Sequence, residues 1–153
     1  MTFYRCAHCG NIVVYIRDSG VRVRCCGEEM QKIVPNTADA AGEKHVPVIE
    51  VKDQTVTVAV GSVEHPMLDA HFIEWIMLET REGRQRKTLK PEDRPVAVFS
   101  LVPGDEAVAA YEYCRVTGVT RTRPEWRLYG IFSFLVLALC LIRRRPRREN
   151  LLV

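Results

Sequence analysis

Cys6-Ala7-His8-Cys9-Gly10, then fifteen residues from Gly10 to Arg24, then the adjacent pair Cys25-Cys26 before Gly27, is the feature that most constrains this chain. About 35 residues cannot bury enough apolar surface to fold alone, and a bound metal is a common remedy. In C-x-x-C-G the glycine lets the backbone turn back, so that amides can point at the sulfurs. Four thiolates then make a tetrahedral site for iron or zinc, and the ligands alone leave that choice open. Ile12–Ile16 and Val21–Val23 read as two short strands around a turn at Asp18-Ser19-Gly20. His8, between two ligands, reads as an exposed non-ligand.

The chain has 153 residues, enough for one ordinary domain plus such a stapled module. Its opening, MTFYRCAHCG, lacks a charged segment followed by an apolar run, so no secretory signal is read there. With four of the six cysteines in a metal-ligand pattern, bound thiolate is read before disulfides. A cytoplasmic location is expected. The net charge is +3, but residues from Val119 onward carry eight arginines and two glutamates, leaving the first 118 residues at −3. That mildly acidic part has no basic footprint for nucleic acid.

Asn36–Gly42 is small and polar, a linker on composition. Beyond it the pattern is β-rich. Thr55–Val60 alternates with period two, Phe72–Thr80 is apolar on both faces like a central strand, and Pro95–Val102 and Ala107–Cys114 are further strands. A helical turn over Ala107–Tyr113 is the competing reading on propensity. Several strands joined by short turns predict a small antiparallel sandwich. The expected fold is all-β: a four-cysteine module over 1–36, a linker over 37–42, a small antiparallel sandwich over 43–118 and a C-terminal extension over 119–153. Within the extension, Leu128–Ile142 is fifteen residues without charge, ahead of Arg143-Arg144-Arg145. A membrane span needs about 20 apolar residues, with a lower limit near 17. The segment reads either as a short membrane anchor or as an extension without function, and Cys140 as an inert thiol.

Three histidines outside the first module, His45, His65 and His71, and one downstream cysteine, Cys114, come from distant segments. Neutral imidazoles and a thiolate suit iron or another late first-row metal, in a site assembled by folding. Each alone has a bland reading: a loop histidine, a buried small thiol, and for Glu43 and Lys44 a solvated surface charge. Their arrangement resembles the desulfoferrodoxin family, the two-iron superoxide reductases. The first module is similar to its desulforedoxin part. Glu43-Lys44-His45-Val46-Pro47, Gly61-Ser62-Val63-Glu64-His65-Pro66-Met67, His71, Ile73-Glu74-Trp75, Leu89-Lys90-Pro91 and Glu112-Tyr113-Cys114 are similar to its catalytic part.

The resemblance implies that the sandwich is immunoglobulin-like, with the extension beyond Gly118 unmatched, and that the chain holds two irons, one held by Cys6, Cys9, Cys25 and Cys26, the other by equatorial histidines and an axial cysteine. His45, His65 and His71 would supply three equatorial positions and Cys114 the axial thiolate. The family's fourth histidine falls at Thr117, in Cys114-Arg115-Val116-Thr117-Gly118, so a weaker second site is implied. Superoxide would be reduced to hydrogen peroxide there. Lys44 would attract the anion and help deliver protons, and Glu43 would bind the metal after product leaves. The four-cysteine iron would relay electrons from a rubredoxin-like donor, in a homodimer. Two other classes compete: an iron electron carrier with a passive sandwich, and a structural zinc module joined to an interaction domain. Trp75 and Tyr113 read as core or site-wall aromatics.

Overall fold

The computed structural model describes residues 1–36 and 45–124. The expected linker, Glu43, Lys44 and the apolar segment 128–142 with Cys140 lie outside the described residues. All regular structure within them is β, in twelve strands. Among the described residues, no helix is long and apolar enough to cross a membrane.

Residues 1–36 form two small sheets. In the first, β1 (Phe3–Arg5) is paired antiparallel on one side by β2 (Ile12–Val14) and on the other by β5 (Gln31–Ile33). The second is the ribbon of β3 (Arg24–Cys25) and β4 (Glu28–Glu29). Val21–Val23 lies outside these strands, a correction to the expected pairing. Val21 is exposed and so is Ile16, so these residues have no core to alternate against.

The remaining strands build two facing antiparallel sheets. One has β7 (Thr55–Val60) between β6 (Pro47–Lys52) and β10 (Val96–Ser100). The other runs in the order β12 (Gly118–Thr122), β11 (Ala107–Cys114), β8 (Ile73–Thr80), β9 (Arg84–Thr88). Three strands facing four is the strand count of an immunoglobulin-like sandwich. β12 carries the sheet past Gly118, where the sandwich was expected to end. Ala107–Cys114 is a strand throughout, because its alternate residues meet two different apolar layers and a helical turn would bury only one.

Those layers organise the molecule. Val56, Val58 and Val60 of β7 meet Ile76 and Leu78 of β8 and Ala110 and Cys114 of β11 inside the sandwich. On the opposite face of the larger sheet, Trp75, Ala109, Tyr111 and Tyr113 form a second cluster with Phe3. The first module therefore docks on the outer face of the sheet whose inner face carries Cys114. Asn36, at the module's end, donates from its backbone N–H to the Val119 carbonyl at 3.1 Å. Its side-chain oxygen accepts from Arg121 N–H at 2.7 Å.

Candidate metal centres

Cys6, Cys9, Cys25 and Cys26 converge, their sulfurs all within 4.8 Å of one another. Gly10 and Gly27 make this local, with φ of 76° and 84° in the left-handed region, where a side chain would be strained. The turn after Cys6 aims the Cys9 N–H at Cys6 Sγ, 3.5 Å away. That hydrogen bond leads the effects that lower the Cys6 thiol to about 6. Cys26 moves the other way, to about 12, first through its contact with Cys9. Four sulfurs this close cannot all carry charge unless a cation joins them, which is the electrostatic signature of a thiolate metal site. His8 stays outside as expected, exposed and 3.1 Å from Glu28.

The second group is His45, His65, His71 and Cys114, whose donor atoms likewise lie within 4.8 Å of one another. Two histidines come from loops and Cys114 from the end of β11. His71 is clamped by reciprocal backbone hydrogen bonds with Leu68, at 2.8 and 3.0 Å. Cys114 faces the interior by strand parity with Ala110, and a register shift that passes over Glu74 of β8 sets it opposite Ile73. Cys114 and His65 are essentially inaccessible.

Burial, then repulsion from His45, holds the His65 imidazole down to about 4, so it is neutral at physiological pH. Both ring nitrogens of His65 and Nε2 of His71 are buried with no hydrogen-bond partner. Orphaned buried nitrogens are costly unless something binds them. With a thiol among them, they fit a metal such as iron. Iron, when bound, supplies one-electron redox chemistry.

A supporting pair went unread in the sequence. Glu112 is fully buried on β11, two residues before Cys114 on the same face. Its carboxyl and the His45 carbonyl both lie 2.6 Å from the Thr120 hydroxyl. A hydroxyl has one proton and the carbonyl only accepts. Thr120 therefore donates to His45, and a protonated Glu112 donates to Thr120. Burial pushes Glu112 up to about 8, which keeps that proton in place near neutrality. The sequence signal was a lone acid in the apolar run AVAAYEYC at the core parity of Cys114.

Because the folded carboxyl holds its proton more tightly than the unfolded one, its stabilising effect is complete below about 4.5 and is lost as pH rises through about 8. Glu112→Gln is expected to remove that loss, up to about 1.4 kcal/mol per pH unit across the window. Denaturation of both proteins in the same metal state measures it as a difference in slope. Equal slopes would mean that the carboxyl is ionised in the fold.

Two distinct thiolate-containing centres on an all-β frame, one four-cysteine and one histidine-rich, define a two-centre non-haem metalloprotein. The family described as desulfoferrodoxin matches residues 37–123, and its N-terminal domain matches residues 1–33. The chain belongs to the desulfoferrodoxin family. It is 45% identical over 116 residues to the desulfoferrodoxin of Syntrophotalea carbinolica, covering 76% of this chain and 90% of that one. Against the desulfoferrodoxin of Nitratidesulfovibrio vulgaris it is 46% identical over 115 residues, covering 75% and 90%. Among solved structures, the superoxide reductase of Treponema pallidum superposes with a TM-score of 0.68 at 37% identity, covering 80% of this chain and 98% of that one.

Proposed function

We propose that this chain is a superoxide reductase, converting superoxide, one electron and two protons to hydrogen peroxide at the second centre. The observation that carries the proposal is the set of three imidazoles and one thiol, all buried but the half-buried His71, with its orphaned nitrogens. His45, His65 and His71 would hold the iron as neutral donors, leaving its charge available to an anion. Cys114, buried inside the sandwich, would supply a thiolate donor that solvent does not reach. Family membership and the likeness to the Treponema pallidum enzyme support the same reading.

The remaining roles rest on the family's pattern. Lys44, a compact positive charge beside His45 in sequence, would draw in superoxide and order the water that delivers protons. Glu43 would bind the metal once peroxide has left. The four-cysteine iron would pass electrons inward from a rubredoxin-like donor, in a cytoplasmic homodimer.

The decisive experiment reacts the reduced two-iron protein with superoxide and measures products. One peroxide per superoxide without oxygen is expected; oxygen release with half that peroxide would mean dismutation instead. Lys44→Ala is expected to slow capture at low ionic strength about tenfold, within the range by which charge steers small ions, while iron content stays unchanged. Capture as fast as in the native protein would remove Lys44 from the reaction.

A further inference from the structure

The three imidazoles of the second centre are not arranged like a face of a tetrahedron. His65 stands 4.6 Å from His45 and 4.7 Å from His71, centroid to centroid, while His45 and His71 are 5.9 Å apart. The long side is about 1.3 times the short ones. Three corners of a square demand a ratio of about 1.4, whereas donors of a tetrahedral site would be equally spaced. The ring planes agree: His45 and His71 lie within 17° of parallel, and His65 is turned 78° and 85° from them. His45 and His71 therefore face each other across the metal position, with His65 between them. Among the described residues, Cys114 is the only other donor in the group, so the corner opposite His65 has no imidazole.

Thr117, where the family resemblance places the fourth histidine, lies close to Cys114 in the fold. It sits in the turn joining β11 to β12, one residue before Gly118, which pairs directly with Cys114. Its Oγ1 is buried and has no hydrogen-bond partner. A buried hydroxyl that neither donates nor accepts is costly, and it has the chemistry to hold a small polar molecule. A neutral hydroxyl is itself a weak donor to a late first-row metal compared with imidazole.

We infer that the corner opposite His65, bordered by Thr117, is a second exchangeable coordination position, taking a small nitrogen or oxygen donor beside the position opposite Cys114. This deepens the superoxide reductase reading and rests on it, since it takes the second centre to hold iron. The Thr117 hydroxyl holds a water there and yields the place to a stronger small ligand. The site consequently accepts two exogenous donors side by side, or both ends of one small chelating anion.

Imidazole is the probe. In the oxidised two-iron protein, imidazole is expected to shift the thiolate-to-iron absorption of the second centre saturably. The four-cysteine centre, closed by its own thiolates, cancels in the difference spectrum. Thr117→Ala, which clears the corner, should give the same shift at lower imidazole concentration. Thr117→His should abolish the shift and hold the second iron longer against a chelator. A band that ignores imidazole in both the native protein and Thr117→Ala would overturn the exchangeable corner alone. A shift that persists in Thr117→His would place the imidazole opposite Cys114 and overturn it equally. Absence of the band from the native protein would overturn the iron reading itself, and the corner with it.

Discussion

Cys114→Ser is expected to erase the thiolate-to-iron absorption of the second centre and to cut superoxide reduction by more than a hundredfold. Loss of even a supporting contact at a metal site costs about 10–100-fold, and this change removes a ligand. A serine hydroxyl is neutral at working pH and a harder, weaker donor than thiolate. The backbone should tolerate the change. Cys114 occupies a strand end where Cys114 pairs with both Ile73 and Gly118, and serine is nearly the same size. Its burial among Ala110 and Ile73 does leave a new hydroxyl in an apolar layer. A hydroxyl so placed costs about 1–3 kcal/mol if unpaired, so Cys114→Ala serves as the control for stability. Both variants should keep the four-cysteine centre, whose ligands all precede residue 27. A surviving absorption band in either variant would place the thiolate donor elsewhere.

The sequence showed the first centre directly because its ligands are local: two pairs of cysteines, each followed by a turn glycine. Central strands were equally readable, since β7 alternates and β8 is apolar on both faces. Reading failed where a strand's residues answer to something other than the core. Arg84–Thr88 is a charged edge strand, and its charges, which guard a sheet edge, look like a loop in sequence. Val21–Val23 had the composition of a strand but meets no apolar layer. The histidine centre could be recognised only through the family pattern, because folding alone brings residues 45, 65, 71 and 114 together. Trp75 and Tyr113 show the limit of residue-type reasoning. They stack at 5.7 Å in the cluster with Phe3, on the sheet face opposite the one that carries Cys114. Adjacent residues in a strand point to opposite faces, so Tyr113 belongs to the docking layer and not to the wall of the site.

Phe3 is the point at which that docking layer can be tested. Its ring is 1% exposed, stacked 5.6 Å from Trp75 and edge-on to Tyr111 at 5.3 Å. Met1, Ile12, Val14 and Ile33 pack around the same cluster, so the small module borrows its hydrophobic core from the large sheet. A module whose strands are two or three residues long has little else to bury. Phe3→Ala is therefore expected to cost about 3–5 kcal/mol, the range for removing a buried aromatic ring. The loss should register as a lower midpoint for the whole folded unit, not only as fraying of residues 1–36, because Trp75 and Tyr111 lose their partner as well. Phe3→Leu, which refills much of the space, should recover more than half of it. Both iron centres should still load at low temperature, since neither ligand set includes Phe3. Unfolding followed separately at the tetrathiolate absorption and, in a Trp126→Phe background, at Trp75 fluorescence distinguishes the cases. Coincident transitions in the native protein that separate in Phe3→Ala would establish the shared layer as the coupling between the modules. Transitions already separate in the native protein would mean that the four-cysteine module is held by its metal alone.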